Sequence, residues 1–247
     1  MNQLKKNIEN GLIELSQNPL IKGLWFGGSR ATGFEDTLSD TDIVGICEEP
    51  LEFFTALEKY LKTVGSIRQV WNVEGNPWPQ FYQKFYIFND DSEVYYLDAG
   101  VFTSQEPDFY REYFNSERHG KPDIIFDKDS ILSRASAMEP QRENPHLNAG
   151  NFLARFEVMY RTFLKEALRG KFIDSHVFYM RLVHLYVQML RQDEASQKHD
   201  FGMRYVYRDL EKSALEIETY IKVTSVEQMM GYAKEIHTRV FSKLSKG

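Results

Sequence analysis

Gly27-Gly28-Ser29-Arg30-Ala31-Thr32-Gly33, followed by Ser39-Asp40-Thr41-Asp42-Ile43, is the stretch on which the reading of this chain turns. An apolar run, Ile21 to Phe26, leads into the glycines and has the character of a buried strand entering a tight turn. Thr41 to Cys47 (TDIVGIC) is a second strand. Glycine lets a backbone approach a ligand closely and tolerates positive φ, so Gly27, Gly28 and Ser29 can offer N–H groups and a hydroxyl to a triphosphate. Asp40 and Asp42 are one residue apart, a spacing that on a strand turns both carboxylates to one face. Paired hard oxygens of this kind suit Mg²⁺, which completes its shell with phosphate and water.

Working outward, residues 2–16 carry Leu4, Ile8, Leu12 and Leu15 at helical spacing, and residues 51–62 form a second amphipathic helix. Three more strands are expected at 67–73, 81–88 and 94–103. Asn89-Asp90-Asp91-Ser92 reads as the turn of a hairpin between the last two. Asp98 is a lone charge inside the apolar segment Val94–Thr103. A carboxylate is costly to desolvate without a partner, and a bound cation is the simplest partner.

Beyond residue 145 the periodicity is helical throughout. Residues 152–168 form a broad apolar stripe closed by Gly170, and Asp174 reads as the N-cap of the next helix, apolar almost all round and running to about Leu190. A third helix carries Val206, Leu210, Ala214, Ile217 and Ile221, and a fourth opens with Ser225 and Gln228 in a capping-box pattern. Short connections fit an antiparallel bundle. The segment 139–148 (EPQRENPHLN) reads as the linker. The fold class is therefore α+β: a mixed-sheet domain over 1–144, then a C-terminal helical bundle over 145–247.

The acids are unevenly spread. Residues 1–126 hold 11 Lys+Arg against 20 Asp+Glu, whereas 127–247 hold 19 against 16. An acidic first half argues against nucleic-acid binding and template-directed polymerisation, which depend on Lys and Arg along a phosphate backbone, and suits a divalent-cation site. No run approaches the length of a membrane-spanning helix, and the N-terminus lacks the apolar core of a signal peptide. A single cysteine, Cys47, excludes an internal disulfide, and a cytoplasmic location is expected.

Gly28-Ser29 followed by Asp40-Thr41-Asp42 resembles the signature of the DNA-polymerase-beta-like nucleotidyltransferase superfamily. Within it the chain is most similar to bacterial lincosamide and aminoglycoside nucleotidyltransferases, which pair the catalytic domain with a helical bundle. Asn148-Ala149-Gly150-Asn151-Phe152-Leu153 is similar to the start of that bundle. The resemblance implies two Mg²⁺ ions held by Asp40, Asp42 and Asp98, which would also be the catalytic residues. It further implies ATP or another nucleoside triphosphate on Gly27, Gly28, Ser29 and Arg30, and a bundle that binds the acceptor. The expected reaction moves a nucleoside monophosphate, AMP from ATP, to a hydroxyl of a small molecule, with an antibiotic of those two types as the acceptor to test. Alternatives are a toxin-like transferase acting on a protein or tRNA, and a non-catalytic nucleotide sensor. A homodimer is compatible with the sequence.

Other candidates carry less. His119, His146, His176, His184, His199 and His237 show no metal-ligand spacing, and His184, in an apolar helix, reads as a packing residue. Cys47 reads as buried and inert. Core packing is the stronger reading of Trp71, Phe81, Tyr82, Phe85 and Tyr86, while Trp78, between two prolines, could line a cleft.

Overall fold

Alternation along Thr41–Cys47 sends Ile43 and Cys47 into one core and Val44 and Ile46 into another, so this strand is covered on both faces. The computed structural model describes residues 3–75, 79–89, 94–111, 114, 120–138 and 148–244. The expected linker over 139–147, most of the hairpin turn, Trp78, His119 and His146 lie outside them. By its internal contacts the chain divides into two compact units, Met1–Arg142 and Glu143–Gly247.

In the first unit α1 (Gln3–Gly11) continues as a 3₁₀ turn over Leu12–Gln17, where one straight helix was expected. There follow β1 (Ile21–Phe26), α2 (Gly28–Thr32), β2 (Thr41–Cys47), α3 (Pro50–Val64), β3 (Ile67–Asn72), β4 (Phe81–Phe88) and β5 (Tyr96–Phe102). A short α4 (Pro107–Tyr110), β6 (Asp123–Asp127) and α5 (Ile131–Ser136) complete it. The strands form one mixed sheet in the order β3-β4-β5-β2-β1-β6. β2 and β5 run parallel, and all other pairs are antiparallel. A parallel pair needs a long crossover, supplied here by α3, β3 and β4.

One face of the sheet is packed by α1, the 3₁₀ turn and α3, with Ile8, Leu12, Phe53, Leu57 and Leu61 buried against Ile43, Leu97 and Ala99. The other face holds Trp25, Phe102, Tyr110 and Phe114 in edge and stacked contacts, with Leu132 and Ala135 of α5. That cluster covers only part of the face; the ends of β2 and β5 that carry Asp42 and Asp98 lie outside it.

The second unit comprises α6 (Ala149–Leu168), α7 (Phe172–Glu194), α8 (Val206–Asp209), α9 (Ala214–Ile221) and α10 (Val226–Leu244). α6 is capped by the Asn148 side chain, which accepts from the Asn151 N–H at 3.0 Å. At α10, Ser225 Oγ accepts from the Gln228 N–H, and Gln228 Oε1 reaches back to the Thr224 N–H, one residue earlier than in the usual box. The expected third helix is two short pieces. Between them the Leu210 backbone leaves the helical region at φ −127 and ψ 48 and residues 211–213 form a turn, and Ile221 is exposed. At the end of the first piece Asp209 is buried among Arg208, Lys198 and the fully buried guanidinium of Arg191.

Gly45 shows how closely α3 must approach the sheet. A Cβ there would stand 2.4 Å from the Phe53 ring. Gly45→Ala should therefore lower stability by about 1–3 kcal/mol, the usual cost of overpacking a core, in a urea titration. Unchanged stability would mean that α3 can lift off the strand without loss.

Candidate active site

β1 ends at Phe26, and the chain turns at once into α2. The Gly27 N–H donates to the Asp42 carbonyl at 2.9 Å, extending the β1–β2 ladder by one bond. Of the expected phosphate-binding amides, Gly27's is thus already used. Gly28 has φ +53, the left-handed region where glycine alone is unstrained, and a Cβ on it would fall 1.8 Å from Asp42 Oδ2. The second glycine thus has two duties: it turns the chain and leaves space for a carboxylate. α2 ends at Gly33, also left-handed at φ +76, and the Phe34 N–H returns to the Ser29 carbonyl.

Asp40 lies just before β2 and Asp42 within it. Both are half-buried while Thr41 between them is buried, the alternation expected of a strand. Across the parallel pair Asp42 is in register with Asp98, which places those two residues side by side on one face. Gly27, Ser29, Arg30, Asp40 and Asp42 line one crevice, together with Glu9 and Glu35.

Asp98 is held from β4. Gln83 Nε2 donates to both of its oxygens, at 2.7 and 2.8 Å. Burial pushes the Asp98 carboxyl up to about 6; the Gln83 bond opposes the rise and the Asp40 charge adds to it. Tyr96, on the same face two residues earlier, bonds Asp40. Burial, then that bond, then the charges of all three aspartates raise its phenol. Three carboxylates therefore act on one small region, and their repulsion is the electrostatic state that a cation relieves.

As ligands for Mg²⁺ the residues fit in chemistry, being hard anionic oxygens on one face. They do not converge as a finished shell: among the described residues no three His, Cys, Asp or Glu stand together as a metal-binding group. Each carboxylate oxygen of Asp98 keeps a lone pair beyond the one taken by Gln83.

Arg30, in the same crevice, is already paired. Its guanidinium lies 3.8 Å from the Phe26 ring centre and donates to Asp123 at 2.6 Å and Glu9 at 3.3 Å. Two carboxylates already answer its charge. Glu9 also accepts from Thr41 Oγ1 at 2.9 Å. Lys5, only 3% exposed, donates to Glu35 at 2.7 Å and to the carbonyls of Ser39 and Asp40 at 3.0 and 3.3 Å.

Lys5, Glu9, Gln83 and Tyr96 were not singled out by sequence. Lys5 alone left a trace there, a cation in register with Ile8 and Leu12 on the buried stripe of α1. Among the other candidates, Cys47 is buried as expected, its thiol raised by burial. The aromatic expectation is corrected: Tyr86 is buried, but Tyr82 and Trp71 are exposed, and Trp71 stacks on Phe85 at 5.0 Å on the uncovered edge of the sheet. His184 is corrected too, since it is exposed. His237 meets Glu157 at 2.9 Å. No helix among the described residues is long and apolar enough to cross a membrane.

No family model matches the chain, and no curated protein matches it by sequence. In structure it is similar to a nucleotidyltransferase-like protein from Exiguobacterium sibiricum, at 12% identity and a TM-score of 0.41, covering 97% of this chain and 74% of that one. It is also similar to a spectinomycin adenyltransferase from Enterococcus faecialis, solved with ATP and spectinomycin, at 11% identity and a TM-score of 0.30, covering 95% of this chain and 98% of that one.

Proposed function

We propose that this chain transfers a nucleoside monophosphate, AMP from ATP, to a hydroxyl of a small molecule. The observation that carries the reading is the side-by-side register of Asp42 and Asp98 on parallel strands, with Asp40 two residues before Asp42. The glycine left empty for the Asp42 carboxylate supports it. Asp40 and Asp42 would hold Mg²⁺ against the triphosphate, and Asp42 with Asp98 would hold the ion beside the acceptor. Bound Mg²⁺ supplies charge that offsets the triphosphate and lowers the pKa of the acceptor hydroxyl. Ser29 and the Gly28 N–H steady the β- and γ-phosphates. The acceptor oxygen bonds to the α-phosphorus, the bond to the β-phosphate oxygen breaks, and pyrophosphate leaves. The hydroxyl proton passes to an Asp98 oxygen, which Gln83 keeps aimed across the sheet.

The direct test is pyrophosphate release, crossing the four nucleoside triphosphates with lincosamides, aminoglycosides and cell extract. Asp42→Asn should abolish release with the best pair. Asp98→Asn should lower kcat at least ~100-fold while MgATP binding by calorimetry persists, since a proton acceptor is lost. Asp40→Asn should weaken MgATP binding as well. Near-wild-type turnover by Asp42→Asn would remove the carboxylates from the reaction.

Gly28→Ala tests the second glycine separately. The added methyl must displace the Asp42 carboxylate or the turn, so turnover should fall at least ~10-fold, as ~1 Å misplacements of reacting groups do. A fully active Gly28→Ala enzyme would show that Asp42 works from another position.

Asp98 also gives a signature in stability. Its folded pKa of about 6 lies above the ordinary 3.8, so the folded state binds the proton more tightly than the unfolded chain. Ionisation therefore costs nothing below about pH 4 and is felt fully above about pH 6. In metal-free buffer at pH 7.5 (an assay condition of about that value), Asp98→Asn should be more stable than wild type by on the order of 1–3 kcal/mol. Asparagine can still accept from Gln83. The gain should fade as pH falls through that window. Equal melting temperatures at both ends would show that the carboxylate is not desolvated.

A further inference from the structure

The helical unit contains a cavity of about 570 Å³, within the range of small-molecule sites. Arg155 and Met159 of α6, Arg181, His184 and Gln188 of α7, and Gly202 line it. On α7 the three polar residues follow at intervals of three and four, one stripe on a helix whose neighbours Leu182, Val183, Leu185 and Tyr186 are buried. Among the described residues no Asp or Glu lines the cavity. Arg161, Arg169, Arg191, Arg208 and Arg239 each meet a carboxylate, whereas among the described residues Arg155 and Arg181 meet none.

The walls are set. Arg181 rests over the Phe178 ring at 5.1 Å. Behind Gly202, whose φ is +56, the fully buried Arg191 donates to the Gly202 carbonyl at 2.9 Å. Partial desolvation by its neighbours lowers the pKa of the exposed His184, so at neutral pH its imidazole offers one donor and one acceptor. Residues 143–247 hold 16 Lys+Arg against 13 Asp+Glu, while residues 1–142 hold 14 against 23. An anion is thus favoured on this unit and disfavoured on the other.

We infer that this cavity binds a small ligand bearing an oxyanion, through the two unpaired guanidiniums, with the His184 ring and Gln188 amide orienting it and Met159 packing its apolar part. Guanidinium forks match phosphate and carboxylate oxygens in pairs, the strongest hydrogen bonds available to such a ligand. The site needs no divalent cation and is independent of the carboxylate centre and of the reaction proposed for it.

Calorimetry on the full chain in EDTA and low salt tests this, because chelation prevents retention of an anion through metal at the aspartates. Sodium pyrophosphate and sodium citrate are titrated separately. Saturable binding of pyrophosphate marks a phosphate-bearing ligand, and binding of citrate marks a carboxylate. Arg155→Gln and Arg181→Gln should each weaken it at least ~10-fold, the share of one charge-assisted pair. Arg161→Gln, on α6 but away from the cavity, should leave it unchanged. Melting curves of the variants check that the fold is kept. Absence of binding by both anions, or binding that survives both cavity substitutions, overturns the proposal.

Discussion

Parallel pairing of β2 with β5 is the constraint on which the rest of the first unit depends. It sets Asp42 beside Asp98, and so places two like charges on neighbouring strands of a half-covered sheet. Burial first, and then the charge of Asp40, raise the Asp98 pKa to about 6, and there the cost of placing acids on this face is visible. Asp98 is the one charge in a strand otherwise made of Tyr, Leu, Ala, Gly, Val and Phe. The crossover through α3, β3 and β4 also delivers Gln83 to the far side of Asp98, so one topological choice supplies both the acid and its support.

A second layer holds the strand ends in place. The Lys5 ammonium, nearly without solvent, is tied to two backbone carbonyls at the entry to β2 and to Glu35. Removing such a partner leaves buried polar groups unsatisfied, at a cost larger than the bond itself contributes. Glu9, one turn along α1, joins Thr41 and Arg30 to the same network, and Thr41 in turn accepts from the Tyr95 hydroxyl at 3.2 Å. α1 therefore positions Asp40 as well as covering the sheet. The helical unit uses the same device, a buried cation on two carbonyls and a carboxylate: Arg191, fully buried, is satisfied by the Gly202 and Arg204 carbonyls and by Asp209.

Much of this was legible from residues alone. β1, β2 and β4 fall at the positions their apolar runs mark, because a strand buried on one or both faces writes its period directly into the chain. The cap at Ser225 was readable for a similar reason, since a cap acts within three residues of itself, whereas Asp174, read as the cap of α7, lies in its first turn because the helix already starts at Phe172. The segment 206–221 was misread: its apolar spacing is compatible with one helix, whereas the chain forms two short helices with a turn between them, and Asp209 at the end of the first meets Arg191, 18 residues away in sequence. Trp71 and His184 were misjudged because residue type reports what a side chain prefers, not which strand lies at a sheet edge or which side of a helix is left uncovered.

The sequence by itself determined the Gly-Gly-Ser turn, the same-face spacing of Asp40 and Asp42, and the lone acid at Asp98, since each is a matter of local period and residue chemistry. Tertiary structure alone decided that Asp98 lies in register with Asp42, that Gln83 and Lys5 serve the carboxylates, and that the Gly27 amide and Arg30 are already engaged. Those facts rest on strand order and on contacts between residues 15 to 93 positions apart, for which no local pattern exists.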